Sequence, residues 1–128
     1  MSYYYSRIIR AGFDEAVLKT SEALKEEGFS IITEINLNEK FKEKLNVNFR
    51  KYKILGACNP SVAYQAVQIE EKIGVMLPCN VVVIDKENGM LEIAAIDPVA
   101  SMMAVKNSTM RPFASELKEK LQKAIDKI

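Results

Sequence analysis

One hairpin signal constrains the fold of this chain more than any other feature. Residues 79–85 are apolar on both faces, which is typical of a strand near the middle of a sheet. The turn sequence Lys-Glu-Asn-Gly follows at residues 86–89, and Asn-Gly before a second apolar run indicates a hairpin. We therefore predict that residues 79–85 and 90–96 pair as antiparallel neighbours, with Cys79 on a central strand.

Periodicity predicts the other elements. Alternating side chains predict strands at residues 3–10, 29–37 and 49–57. Apolar residues three or four positions apart predict a helix from Phe13 to a stop at Gly28, a helix over residues 60–73, and a final helix with the stripe Phe113, Leu117, Leu121 and Ile125. Residues 38–45 form a charged insertion with one short helix.

This order predicts an α+β fold, with helices on one face of a mostly antiparallel sheet of about five strands. A chain of 128 residues without a linker segment predicts a single domain over residues 1–128. A parallel sheet is the alternative. The two differ at the helix that Asn59 and Pro60 begin, because a crossover helix separates Cys58 from Cys79, whereas an excursion between antiparallel neighbours returns both to one end of the sheet.

Composition limits the classes of partner. The 48% hydrophobic and 27% charged residues are typical of a globular protein. A formal charge of +1 gives no large positive electrostatic field that would attract nucleic acid or an anionic membrane. The chain shows no signal-peptide pattern near residue 1 and no apolar run that approaches 18 residues, so we expect a cytoplasmic protein that binds neither nucleic acid nor membrane. The two cysteines are expected to be reduced thiols there.

The chain contains no histidine, which removes the commonest general base and every Ser-His or Cys-His arrangement. Enzymatic activity is thereby disfavoured and stays an open question. Any soft-ligand or redox chemistry depends on Cys58 and Cys79. Cys58 lies one residue before a helix N-cap, where the helix dipole stabilises a thiolate, although a cysteine is also a common small residue of apolar cores.

Other residues are weaker candidates. Two thiolates fall short of the four ligands of structural zinc, so Asp97, Glu34, water or a second subunit would have to supply the rest. Thioethers of Met76, Met102 and Met103 are softer alternatives for a cuprous ion. Asn59 could orient a ligand or simply cap its helix. Tyr3, Tyr4 and Tyr5 could stack on an aromatic ligand or pack within the sheet.

Two segments carry a family resemblance. Leu-Gly-Ala-Cys-Asn-Pro at residues 55–60 and Gly-Val-Met-Leu-Pro-Cys-Asn at residues 74–80 resemble the domain-of-unknown-function 302 family, as do Gly28-Phe29 and Ile96-Asp97-Pro98. The resemblance implies a strand, helix, four-strand, helix core with an inserted helix, similar to the TATA-binding-protein-like superfold. It also implies a tendency to form dimers and no established activity. Fold similarity does not imply DNA binding.

Three functional hypotheses remain. The first is a homodimeric module that binds a small ligand near Cys58, Asn59, Cys79, Asp97 and Met102. The second is a thiol-based redox or soft-metal-handling protein that uses both cysteines, and the third is an interaction domain without a ligand. No cofactor is identified. A symmetric homodimer is expected because Ile8, Ile32 and Ile96 lie at alternate positions that helices on one sheet face cannot cover.

Overall fold

The structure, a computed structural model, describes residues 2–128. Its strands are β1 (Tyr4–Arg10), β2 (Ser30–Asn36), β3 (Tyr52–Cys58), β4 (Cys79–Asp85) and β5 (Met90–Ile96). Its helices are α1 (Phe13–Glu26), α2 (Leu37–Leu45), α3 (Pro60–Ile69), α4 (Pro98–Ser101) and α5 (Arg111–Asp126), with 3-10 segments at Glu71–Met76 and Ser108–Met110.

The five strands form one sheet in the order β1-β5-β4-β3-β2, and every neighbouring pair is antiparallel. The predicted hairpin of β4 and β5 is confirmed, and β4 is the central strand. The α+β class is confirmed, and the parallel alternative is wrong. The connection from β3 through α3 to β4 is therefore an excursion between antiparallel neighbours.

Two predicted boundaries are wrong for local reasons. The third strand begins at Tyr52, because Asn46 ends α2 in a left-handed conformation and the Phe49 ring then packs edge-on against Phe41, with centroids 5.4 Å apart. The helix predicted over residues 60–73 ends at Ile69, because Glu70 is extended and a 3-10 segment follows. The side chain of Asn107 donates to the carbonyl of Ile69 at 3.4 Å, which satisfies one of the acceptors at this helix end.

Strand alternation gives the sheet a covered and an open face. Helices α1 and α5 pack on the covered face, where the fully buried strand residues are Leu55, Ala57, Val81, Val83, Leu91, Ile93 and Ala95. Their chain neighbours point to the open face, and its half-buried or exposed residues include Tyr4, Ile8, Tyr52, Val82, Ile84, Ala94 and Ile96. Burying the covered side provides the main driving force for folding.

Gly56 of β3 allows close approach of a β2 side chain and of Pro78, the residue before β4, at the end of the sheet that carries the cysteines. A Cβ atom added to Gly56 would overlap the hydroxyl oxygen of Thr33 and lie 2.8 Å from the Cγ atom of Pro78. Glycine is therefore required here for close approach of the neighbouring side chains. Among residues 2–128, no helix combines the length and the apolar character that crossing a membrane requires.

Candidate functional site

Both cysteines lie at one end of the sheet. Cys58 is the last residue of β3, Cys79 is the first residue of β4, and the register pairs Cys79 with Ala57. Asn59 follows Cys58 and caps α3, since its Oδ1 atom accepts a hydrogen bond of 3.3 Å from the amide of Val62. The two cysteines are thus one register position apart on neighbouring strands, and both are free thiols.

A small cavity of about 20 Å³ lies beside this strand end, and we call it the sulfur cavity. It contains four of the five residues that the sequence assigns to a ligand site, Cys58, Asn59, Cys79 and Met102. The complete lining is Ala57, Cys58, Asn59, Val62, Ala63, Ala66, Ile73, Leu77, Pro78, Cys79, Met102, Met110, Phe113 and Leu117. Its volume accommodates one or two water-sized occupants, whereas drug-sized ligands take about 300–1,000 Å³.

The methionines near this cavity differ from the predicted set. Met102 and Met110 line it and are buried. Met103, predicted as a soft ligand, is 71% exposed, and Met76 packs against the core cluster of Met102 and Met110 without lining the cavity. The position of Met110 in the lining was not predicted, because it depends on how the loop before α5 packs against α3.

The two thiols differ in their environment. Burial and, to a smaller extent, the charge of the nearby Cys58 sulfur together raise the pKa of Cys79 from its ordinary 9.0 to about 11. Cys79 is therefore a neutral thiol at pH 7 and a poor nucleophile in the empty protein. Cys58 is half-buried and is the more accessible of the two sulfurs.

Asp97, the fifth predicted residue, lies outside the sulfur cavity and has a structural role. Its Oδ1 atom accepts hydrogen bonds from the amides of Val99 and Ala100, at 2.9 and 3.2 Å, and thereby caps α4. Its Oδ2 atom lies 3.1 Å from the Lys118 ammonium on α5. These contacts account for both oxygens of a carboxylate that is almost fully buried.

Glu34 and Asp97, the two carboxylates predicted as possible metal ligands, lie far apart. Glu34 pairs with Leu55, Leu55 with Val81, and Val81 with Ala95, so three strand spacings separate Glu34 from β5. At about 4.8 Å per spacing, the two carboxylates cannot share a proton or a metal ion. Among residues 2–128, no three His, Cys, Asp or Glu side chains are grouped so that they could hold a metal ion.

A second depression lies on the open face, and we call it the trough. Its volume is about 340 Å³, and it is lined by Tyr3, Tyr4, Tyr52, Asn80, Val82, Ile84, Glu92, Ala94, Ala95 and Ile96. The register explains its shape. Ser6, Ala94 and Val82 form one row of small side chains across three strands, between a row that contains Tyr4 and Ile96 and a row that contains Glu92, Ile84 and Tyr52.

The trough is amphipathic. The ring of Tyr3 stands edge-on to Tyr4, with centroids 5.0 Å apart, and both rings are well exposed. Glu92 provides a carboxylate in the opposite wall, 3.5 Å from the Lys86 ammonium. Tyr5, the third tyrosine of the predicted cluster, points to the covered face, where its hydroxyl donates to Asp126 at 2.6 Å and has a raised pKa because of that bond.

Comparison with known proteins identifies the family. The family model named Domain of unknown function DUF302 matches residues 5–128. The chain belongs to the DUF302 family. The crystal structure of an uncharacterized conserved DUF302 protein from Bacillus stearothermophilus is similar, with a TM-score of 0.90, 27% sequence identity and coverage of 98% of both chains. No match is found among curated proteins.

Family membership confirms the resemblance that the Cys58 and Cys79 segments carry in the sequence. In this DUF302 domain those segments meet at the sulfur cavity, whereas most of the residues that form the trough belong to no predicted site. A partial signal for the trough is present in the alternation of Ala94 and Ile96 with the buried residues of β5. Its depth becomes evident only when the register aligns Ala94 with Ser6 and Val82.

Proposed function

We propose that this DUF302 domain is a binding module for a small, mostly apolar molecule, and that the molecule binds in the trough. The observation that carries the proposal is a depression of about 340 Å³ on the open face of the sheet. That volume falls within the range of about 300–1,000 Å³ that small-molecule sites occupy. The sulfur cavity, where the sequence predicts the ligand, has about 20 Å³.

The lining supports a flat ligand. Val82, Ile84 and Ile96 supply apolar area, and Tyr3 and Tyr4 supply aromatic faces at one rim. Aromatic side chains favour offset or edge-on contact with another ring, which suits an aromatic or conjugated ligand. Ala94 lies in the row of small side chains between the two walls, where the ring of the ligand is proposed to lie.

The polar groups of the trough support one orientation of that ligand. Glu92 is the charged residue of the lining, and its side chain is 21% exposed beside Lys86. A carboxylate accepts hydrogen bonds, so a ligand with a hydroxyl or amino group should place that group towards Glu92. Asn80 lies exposed at another part of the lining and can donate or accept a bond.

Binding of the neutral, solvent-sensitive dye Nile red tests the proposal. We expect one dye molecule per chain with a blue-shifted emission, and quenching of intrinsic tyrosine emission, because the chain has no tryptophan and three of its five tyrosines line the trough. Ala94→Phe fills the floor and should abolish both signals. Ala104→Phe, on an exposed loop outside the trough, is the matched control and should bind like the wild type.

Sedimentation of the same samples distinguishes a small ligand on the open face from a second copy of the chain. A chain of 14.4 kDa that binds dye supports the ligand proposal. A dye-silent chain of twice that mass would mean that a second copy covers the trough, and this result would overturn it. Equal dye binding by Ala94→Phe and the wild type would also overturn it.

The homodimer expected from the sequence stays a prediction. Ile8 and Ile96 lie on the open face, and Ile8 is 54% exposed. Ile32 lies at a register shift in the edge strand β2 and is 56% exposed. These positions support association through exposed apolar surface. We also propose a cytoplasmic location, which two unbonded thiols on neighbouring strands support.

A further inference from the structure

Half of the sulfur-containing residues of this chain lie around one small cavity. The sequence contains two cysteines and six methionines. Both cysteines and two methionines, Met102 and Met110, line the sulfur cavity. They come from separate segments: the end of β3, the start of β4, and the two ends of the loop between α4 and α5. Four sulfur-containing residues from separate segments therefore line one cavity of about 20 Å³.

The donor types select the kind of ion. Zinc prefers four ligands drawn from thiolate, imidazole and carboxylate, and within residues 2–128 no such group of three is present. Calcium and magnesium require oxygen ligands. Thiolates combined with thioethers suit a soft monovalent ion, and cuprous copper is the biological ion of that class.

We propose that the sulfur cavity binds one cuprous ion through the sulfurs of Cys58 and Cys79, with the thioethers of Met102 and Met110 as the remaining donors. Each thiol gives its proton to solvent as a copper–sulfur bond forms. Two protons are released for each ion, copper stays in the +1 state, and no electron is transferred. The bound unit, one Cu⁺ and two thiolates, carries a net charge of −1.

Three features of the site suit this unit. The cavity is larger than the roughly 10–15 Å³ that one water needs, so a dehydrated ion fits and a hydrated divalent ion does not. Cys58 precedes the N-terminus of the ten-residue helix α3, whose positive end partly offsets the negative charge. Half-buried Cys58 is the first sulfur that an incoming copper ion meets. The buried Cys79 sulfur can then displace a ligand that came with the ion from solution.

The test is an anaerobic competition of the reduced full-length chain with bicinchoninate, using tetrakis(acetonitrile)copper(I) as the copper source. We expect one Cu(I) per chain, a copper X-ray absorption spectrum with sulfur neighbours alone, and no retention of Zn(II) under the same conditions. Cys58→Ser should abolish tight binding. Met110→Leu should weaken it by about 10- to 100-fold or more, the range seen when supporting groups of a metal site are lost.

Met76→Leu is the matched control, because Met76 packs against the core cluster that contains Met102 and Met110 but does not itself line the cavity. Both Leu substitutions nearly conserve volume, and thermal unfolding of the copper-free variants verifies that they fold. Absence of copper retention by the wild type would overturn the proposal. Equal affinity of Met110→Leu and the wild type would also overturn it, because the four-sulfur site requires that thioether.

Discussion

The sulfur cavity and the trough lie on opposite sides of one strand. Cys79 begins β4 on the covered face, and Val82, three residues later, is part of the open face. The cavity has about 20 Å³ and four sulfur residues, whereas the trough has about 340 Å³, three tyrosines and a carboxylate. Because side chains alternate along a strand, neighbouring residues of β4 contribute to two sites that suit occupants of different sizes.

Packing explains why the two sites differ so much in volume. Helices α3 and α5 and the loop before α5 close over the strand end, and interiors packed at crystal-like density leave few voids larger than a water. The open-face residues of β4 and β5 are half-buried or exposed, so the sizes of their own side chains set the relief of this face. The small Ala94 side chain lowers the floor, and tyrosines raise one wall.

The largest expected effect compares the two faces directly. Val81 is fully buried beneath the helices, and Val82 is half-buried on the open face. Val81→Asp places an unpaired charge in the core and should lower the free energy of unfolding by about 4 kcal/mol or more. Val82→Asp should cost about 1 kcal/mol, as a polar residue in a strand facing solvent does. Urea unfolding measures both values.

The same pair of variants tests association. If a second copy covers the open face, the wild type should sediment at twice 14.4 kDa and Val82→Asp at 14.4 kDa. Equal unfolding costs for the two substitutions would contradict the division of the sheet into a covered and an open face, since both residues would then have to be buried.

The sequence predicts the sheet and its order of elements because those depend on local signals. The Asn88-Gly89 turn and the Asn59-Pro60 helix start are each confirmed by the structure. The trough and the contribution of Met110 depend instead on contacts between residues far apart in the chain. Periodicity shows which side chains share a face, but only the register shows which small residues lie side by side.

Alkaline pH should reveal the burial of one sulfur in the metal-free protein. The pKa of Cys79 is about 11 in the folded chain and near its ordinary 9.0 when unfolded. The unfolded state therefore loses its proton first, so this residue's contribution to stability is fully present below pH 9 and is lost as the pH rises towards 11. At about 1.4 kcal/mol per pKa unit, the loss should amount to roughly 2–3 kcal/mol.

Other groups also titrate in this range, so the measurement is a difference. Urea unfolding of the wild type and of Cys79→Ala at pH 8, 9, 10 and 11 should show a steeper decline for the wild type. Parallel curves for the two proteins would indicate a solvated sulfur at position 79, and the closed character of the sulfur cavity would then be incorrect.

The smallest expected effect concerns Asp97, a predicted ligand residue that belongs to neither site. Its two oxygens serve separate elements, since Oδ1 caps α4 and Oδ2 pairs with Lys118 on α5. Asp97→Asn keeps an acceptor for the cap and should cost less than Asp97→Ala, which removes both contacts and should lower the free energy of unfolding by about 1–2 kcal/mol.

Neither variant should change binding of Nile red or of Cu(I), because Asp97 lines neither the trough nor the sulfur cavity. A substantial loss of either ligand in Asp97→Asn, with stability near that of the wild type, would assign this carboxylate a direct role in binding. An unchanged affinity would show instead that a buried carboxylate beside a strand end can have an entirely structural role, which residue type and spacing alone do not distinguish from a ligand role.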